Sequence, residues 1–337
     1  MKQALVTGGA GYIGSHAVLK LLDVGWKVIV IDDLSNASLE SLQRVEKLTG
    51  KSCTVIKGSI NDSTLLTKVF AQYKVDVVYH FAGWKAVGES TEKPISYYYN
   101  NVAGTLTLLS AMEQAGVHKL VFSSSATVYG APHSVPITES FPTKTTNPYG
   151  ESKLIVENIL RDIATRSKFW SIAILRYFNP IGAHESGEIG EDPTGIPNNL
   201  LPFVSQVAIG KLEKLRIFGN DYPTIDGTGV RDYIHVLDLI EGHIKAFQLI
   251  NENTGVYTIN LGTGRGYSVL EIIKTFEQVT NKKIPYEIVA RRPGDIASCY
   301  TDPSYAYKII GWSAKHRLEK MLEDTWRWQR KNPNGFE

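Results

Sequence analysis

Gln3-Ala-Leu-Val-Thr7 runs straight into Gly8-Gly9-Ala10-Gly11-Tyr12-Ile13-Gly14. Five strand-forming residues meet a loop in which Gly9-x-Gly11-x-x-Gly14 has the spacing of a dinucleotide-binding turn between a strand and a helix. Such a turn must be tight, must let the backbone approach a pyrophosphate, and must aim the N–H groups of a helix start at negative charge. Glycine spacing alone also closes ordinary turns. The next apolar run gives it meaning, because Lys27–Asp32 ends in Asp32-Asp33, 18 residues past Gly14. A carboxylate at that place accepts from a ribose 2′-hydroxyl and repels a 2′-phosphate, which predicts NAD rather than NADP.

Outward from this unit, strand-like runs at Gln3–Thr7, Lys27–Asp32, Ser52–Lys57, Val75–Phe81, Leu120–Ser124 and Ile172–Tyr177 alternate with helical spacing at His16–Val24, Ser63–Tyr73, Gly104–Ala115 and Tyr149–Thr165. The strands are apolar almost throughout, as strands covered on both faces must be. The alternation predicts an α/β fold, a doubly wound parallel Rossmann sheet with right-handed crossovers. After Asn179 the rhythm breaks into a loop rich in Gly, Pro, Asp and Glu from Gly182 to Asn199. Shorter elements follow: helical Leu200–Ile209, strand Leu215–Phe218, helical Val269–Thr280 and strand Pro285–Val289. Val236–Gln248 reads as a helix folding back onto the first half. Residues 1–178 plus about 231–258 are therefore expected to form the NAD-binding domain. About 179–230 plus 259–337 form a smaller mixed α/β substrate domain over the carboxyl edge of the sheet.

Of the 337 residues 43% are hydrophobic and 21% charged, the balance of a soluble globular protein. A net charge of +2 leaves no electrostatic footprint for nucleic acid. Cys53 and Cys299 make neither a disulfide framework nor a metal cluster. The strand at Gln3 leaves no room for a signal peptide, and no apolar run approaches the roughly 20 residues that span a bilayer. A cytoplasmic chain without membrane or metal is expected.

Asn147-Pro148-Tyr149-Gly-Glu-Ser-Lys153 opens a helix, with Pro148 at its first position. Tyr149 and Lys153, four apart, share a face. Of 17 tyrosines only Tyr149 has a lysine four residues on. A phenol needs its pKa lowered by about 3 units, roughly 4 kcal/mol, to act as a base near neutral pH. Lys153 and a positive nicotinamide ring are expected to supply that. The run Phe122-Ser123-Ser124-Ser125 ends a strand at the sheet's carboxyl edge, so Ser125 becomes a candidate to hold the reacting oxygen.

Thr7–His16, His80-Phe-Ala-Gly83, Lys85–Ser90 and Ser123–Gly130 resemble the extended short-chain dehydrogenase/reductase superfamily and, within it, the UDP-galactose 4-epimerase family. So do Leu175–Pro180, Gly190-Glu-Asp-Pro193, Ile217–Pro223, Asp226–His235 and Arg291-Arg292-x-Gly-Asp295. The resemblance spans nearly the whole chain. It implies that Tyr149, helped by Ser125, takes the proton of a sugar 4-hydroxyl while C4 yields a hydride to resident NAD. The 4-keto sugar then turns and receives the hydride on its other face. Lys153 would bond the nicotinamide ribose. NAD contacts are implied at Gly8, Gly11, Tyr12, Ile13 and Gly14, and at Asp32, Asp33, Leu34, Ser35, Asn36 and Ala37. Further ones are Ser59, Ile60, Phe81, Ala82, Gly83, Lys85 and Asn100, then Ser123, Tyr149, Lys153, Tyr177 and Phe178. UDP-sugar contacts are implied at Lys85, Ser125, Tyr149, Asn179, Asn199, Leu200, Arg216, Phe218, Arg231, Tyr233, Arg292, Asp295 and Cys299. Arginines suit a diphosphate because their planar fork binds two oxygens at once. The helices Tyr98–Gln114 and Glu151–Arg166 correspond to the family's pair that forms a homodimer through a four-helix bundle.

Two positions depart from the family. Ser59 stands where an Asp beside the adenine is common. Cys299 stands where members restricted to glucose and galactose carry a tyrosine, and a small residue there would admit an acetamido group at C2. The expected activity is C4 epimerisation of UDP-hexoses, both plain and N-acetylated. Three other readings are an epimerase restricted to non-acetylated sugars, a sugar-nucleotide 4,6-dehydratase or decarboxylase, and a non-catalytic NAD-sensing protein. Dehydration needs an acid just after the strand's hydroxyl, where this chain has Ala126 and Thr127. A non-catalytic protein would lack the tyrosine or the lysine, and both are present.

Overall fold

The computed structural model describes residues 1–292 and 294–337. Seven parallel strands form the central sheet in the spatial order Gly255–Leu261, Ser171–Tyr177, Lys119–Ser125, Val77–His80, Gln3–Thr7, Lys27–Asp32, Thr54–Lys57. Alternate side chains of each strand go to opposite faces, and here both faces are apolar. Ala4, Val6, Val28, Val30, Val77 and Tyr79 pack on one side with Val18, Leu22, Leu239 and Phe247. Leu5, Ile29, Ile31, Val78, Leu120 and Phe122 pack on the other with Leu66, Val69, Leu108, Met112 and Leu160. The helices Tyr12–Asp23 and Val236–Glu252 cover the first side; Ser63–Gln72, Gly104–Gln114 and Pro148–Arg166 cover the second. This is the doubly wound α/β architecture that the alternation predicts.

The order reverses between Gln3–Thr7 and Val77–His80, so the carboxyl ends around that point diverge and leave a crevice. Register brings the loops together there: Thr7 lies beside His80, and Ser125 beside Tyr177. The second part of the chain carries a four-stranded sheet built on Val230–His235 and a two-stranded pair, Leu215–Phe218 with Tyr286–Val289. Its core gathers Leu201, Val204, Ile217, Tyr233, Ile272, Phe276 and Leu322.

Three features differ from the sequence reading. Val230–His235 pairs within the small sheet, and the returning segment is the helix Val236–Glu252 with the strand Gly255–Leu261, the seventh of the large sheet. That strand alternates apolar Tyr257, Ile259 and Leu261 with polar Thr258 and Asn260, and the sequence reading passed over it. Tyr98–Gln114 is not one regular helix. Pro94–Tyr98 and Gly104–Gln114 are α-helical and flank a π-helical turn at Tyr99–Ala103. Finally, Leu318–Lys331 is an amphipathic helix that covers the small domain, with Leu318, Met321 and Leu322 inward. Among the described residues no helix is long and apolar enough to cross a membrane.

Candidate active site

The glycine loop is shaped by what its glycines lack. Gly8 has φ +70°, and a Cβ on it would sit 2.6 Å from the Ala82 nitrogen. A Cβ on Gly14 would sit 2.0 Å from the Gly8 carbonyl oxygen. The loop thus lies flat between the start of the helix Tyr12–Asp23 and the Phe81–Gly83 loop, open toward the crevice, a cradle fitted to a pyrophosphate. Asp32 is buried beneath it and accepts from Ala10 N and Leu34 N, each at 2.9 Å. Burial raises its pKa, and those two N–H groups act in the opposite sense. Asp32 therefore fixes the loop as well as offering acceptor capacity to a ribose. Asp33 is exposed and bonds Ser35 N and Oγ at 2.9 and 2.6 Å; Asn36 beside them is also exposed. Leu34 has φ +61°. Ser59 accepts from Asn61 N at 3.2 Å, so its hydroxyl orders its own turn. Ile60 is buried against Gly104, and Asn100 Nδ2 donates to Asn101 Oδ1 at 3.1 Å. Tyr12 reaches across to the small domain and donates to the Gly182 oxygen at 2.6 Å.

Tyr149 and Lys153 lie on the helix Pro148–Arg166, whose start is capped by Asn147 accepting from Gly150 N at 2.8 Å. Lys153 is 5% exposed; Nζ donates to the Ser123 oxygen at 2.9 Å and stands 5.1 Å above the Phe122 ring. Burial brings its pKa down to about 8. The phenol of Tyr149 departs from expectation. Burial raises its pKa, while the nearby Ser125 hydroxyl and the charge of Lys85 pull the other way. Lys153, the expected cause of a lowered value, is not among these groups; its ammonium donates to the Ser123 carbonyl. Ser125 also caps the following turn, accepting from Thr127 N at 3.2 Å and Thr127 Oγ1 at 3.0 Å. Tyr177 donates to Ser123 Oγ, and Phe178 N bonds the Leu261 oxygen at 3.2 Å.

On the small-domain side, Arg231 Nη2 meets Asp295 Oδ1 at 2.7 Å, and Arg292 Nη2 meets Asp295 Oδ2 at 3.2 Å. The Arg292 guanidinium lies 4.5 Å over the Phe218 ring. Both arginines are thus gathered on one carboxylate, and Tyr233 is buried in the domain's core. Asn179 and Asn199 are exposed, and Leu200 begins a helix. Arg216 stands apart, its side chain 68% exposed and 3.5 Å from Glu287. Cys299 is buried in a cluster with Ala126, Tyr129, Ile137 and Phe178, and burial pushes its thiol up to about 11. Two residues were given no role in the sequence reading, although Glu191 lies in the Gly190–Pro193 motif. Glu191 bonds both Lys85 and Asn199, each at 2.8 Å. Glu157, one turn past Lys153 on the same helix face, is buried and binds Arg176 through both oxygens. A third position continuing the spacing of Tyr149 and Lys153 was the available signal for Glu157.

A family model described as GDP-mannose 4,6 dehydratase matches residues 5–325. UDP-glucose 4-epimerase of Bacillus subtilis is 58% identical over 332 residues, covering 98% of each chain. That of Haemophilus influenzae is 60% identical over 333 residues, again 98% of each. The crystal structure of UDP-glucose 4-epimerase from Bifidobacterium longum in complex with NAD+ and UDP superposes with a TM-score of 0.97, at 53% identity, covering 99% of this chain and all of that one. The chain belongs to the UDP-glucose 4-epimerase family, NAD-dependent isomerases with the extended short-chain dehydrogenase/reductase fold.

Proposed function

We propose that this chain inverts C4 of UDP-glucose and UDP-galactose, and of their N-acetylated counterparts, with NAD kept bound throughout. The observation that carries the reading is the helix that holds Tyr149 and Lys153 together, tied by the Lys153 bond to Ser123 at the strand end that carries Ser125. The cradle at Gly8 and Gly14 and the carboxylate of Asp32 fit NAD. NAD held there would supply a hydride acceptor, later a donor, and a positive charge. The chain's own part is acid–base work and positioning. Tyr149 takes the proton of the 4-hydroxyl and returns it to the same oxygen after the sugar has turned, and Ser125 holds that oxygen during both transfers. Lys153, desolvated and close to its own titration point, orients the ribose. Arg231 and Arg292, preset on Asp295, are suited to a diphosphate once they exchange that carboxylate for phosphate oxygens. The remaining cofactor and substrate contacts are assigned as the family resemblance implies.

Dehydration is disfavoured, because the two positions after Ser125 are Ala126 and Thr127, and the Thr127 hydroxyl donates to Ser125. Acceptance of N-acetylated sugars is supported by Cys299. It is a small buried residue clustered with Phe178 and with Ala126, the residue that follows Ser125. A tyrosine there would fill the space an acetamido group needs. We also infer a homodimer through the helical pairs 98–114 and 151–166, a two-domain division, and a cytoplasmic setting consistent with two free thiols. The test is turnover of UDP-galactose and UDP-N-acetylgalactosamine without added NAD. Both are expected to convert, Tyr149→Phe to lose at least 100-fold in kcat on each, and Cys299→Tyr to lose only the acetylated reaction. No acetylated product from the wild type overturns the broad specificity; near-normal turnover by Tyr149→Phe removes it from the base role.

A further inference from the structure

Glu191 takes no part in the steps above, yet its side chain is only 11% exposed and points across the cleft. One oxygen, Oε1, accepts from Lys85 Nζ and from Asn199 Nδ2, each at 2.8 Å. The backbone behind it is fixed. The Trp328 indole donates to the Glu191 oxygen at 3.1 Å, and Gly190 lies so close to that ring that a Cβ would stand 2.3 Å from it. The two residues it gathers come from different parts of the fold. Lys85 follows the central strand Val77–His80, and Asn199 ends the long loop of the small domain. A half-exposed lysine left alone samples many rotamers, and holding it in one costs side-chain entropy that the bond to Glu191 offsets. Burial acts to lower the Lys85 pKa, but the charge and hydrogen bond of Glu191 raise it above its ordinary value, so the ammonium stays charged.

We propose that Glu191 is a positioning residue for the epimerase reaction, one carboxylate oxygen holding the charge of Lys85 toward Tyr149 and the amide of Asn199 toward the nucleotide. Placement of the sugar nucleotide and the electrostatic bias on the general base are then set by a single group. The proposal rests on the reading of Tyr149 as that base. If Glu191 works through its two partners, its loss and theirs overlap rather than multiply.

The experiment compares holoenzyme with E191Q, K85M, N199A and the doubles E191Q/K85M and E191Q/N199A, with melting temperatures to confirm folding. For UDP-galactose, E191Q is expected to lower kcat about tenfold, and the E191Q/K85M double to be no worse than K85M alone. For UDP itself, titration calorimetry is expected to show several-fold weaker binding in E191Q, with little added by N199A. Unchanged kcat in E191Q, or losses that multiply in the doubles, overturns the proposal. If E191Q does not fold, E191D, which withdraws the same charge by one methylene, is read in the same way. A wild type with no epimerase turnover would sink the proposed function instead, and the UDP titrations would still decide the coupling of Glu191 to Asn199.

Discussion

Lys153 shows what the proposed catalytic arrangement costs at the level of one residue. In the unfolded chain its pKa is near 10.4; in the fold, burial brings it to about 8. Below pH 8 the ammonium is charged in both states and the fold bears the whole desolvation, about 3 kcal/mol. Between pH 8 and 10.4 the folded state sheds the proton, and the cost fades. Lys153→Met removes that burden but also removes the bond to Ser123, worth roughly 1 kcal/mol. The cofactor-free variant is therefore expected to be about 2 kcal/mol more stable than wild type at pH 7, with the gain gone by pH 10.4. Urea unfolding at both values checks it, and a less stable variant at pH 7 overturns the account. The pair Tyr149–Lys153 was legible from spacing and from its place after a serine-ended strand. What acts on the phenol was not, because Lys85 is 64 residues away and only the fold brings its charge near. Ion pairs of long sequence separation, such as Lys85–Glu191, leave no periodic trace.

In the proposed mechanism the helix Pro148–Arg166 has to present Tyr149 at a fixed angle to the strand end that carries Ser125. Its proline start and Asn147 cap were readable in the sequence; its lock was not. Glu157 receives Ser124 Oγ at 2.5 Å, Arg176 Nε at 2.9 Å and Nη2 at 2.6 Å, and Arg161 Nη2 at 2.9 Å. Arg176 continues to the Tyr129 hydroxyl at 2.9 Å, and that hydroxyl to Asn260 at 2.7 Å. One network thus ties the helix to the strands Lys119–Ser125, Ser171–Tyr177 and Gly255–Leu261. Burial alone would raise the Glu157 pKa, yet the Arg176 bond and charge hold it below its ordinary value. Its ionised form therefore contributes stability above the carboxylate range, and that contribution is lost as pH falls through the folded pKa. A buried pair broken on one side leaves an uncompensated charge, which costs about 3–5 kcal/mol. Glu157→Gln and Arg176→Met are each expected to lose on that order in urea unfolding. The double variant should lose clearly less than the sum. An additive double would mean that the two side chains stabilise the fold independently.

Across the whole molecule, the large sheet was legible because strands buried on both faces write long apolar runs. The small domain was less so, since strands of two or three residues, such as Ser298–Cys299 and Gly266–Ser268, are shorter than any period they could display. The helical pair proposed for dimerisation lies between these cases. Its inner residues Leu108, Leu109 and Met112 are core, yet the same composite helix leaves Ile95 83%, Tyr99 64% and Leu106 46% exposed. Ile95 and Tyr99 are four apart and Leu106 seven further on, spacings that put them near one side of a helix, although the π turn between them shifts the alignment by about one residue. Each large apolar side chain buried in an interface contributes about 1.5–3 kcal/mol, so three per protomer, counted twice by symmetry, supply about 9–18 kcal/mol toward the association cost and the roughly 8 kcal/mol net of a micromolar dimer. Wild type is expected to run as a dimer in light scattering at micromolar concentration. Tyr99→Glu, which places a desolvated charge on the symmetric face, is expected to weaken association at least 100-fold and leave the monomer folded by circular dichroism. A monomeric wild type, or a Tyr99→Glu variant as dimeric as its parent, removes this face from the interface, and the exposed Ile95 and Tyr99 would then need another partner.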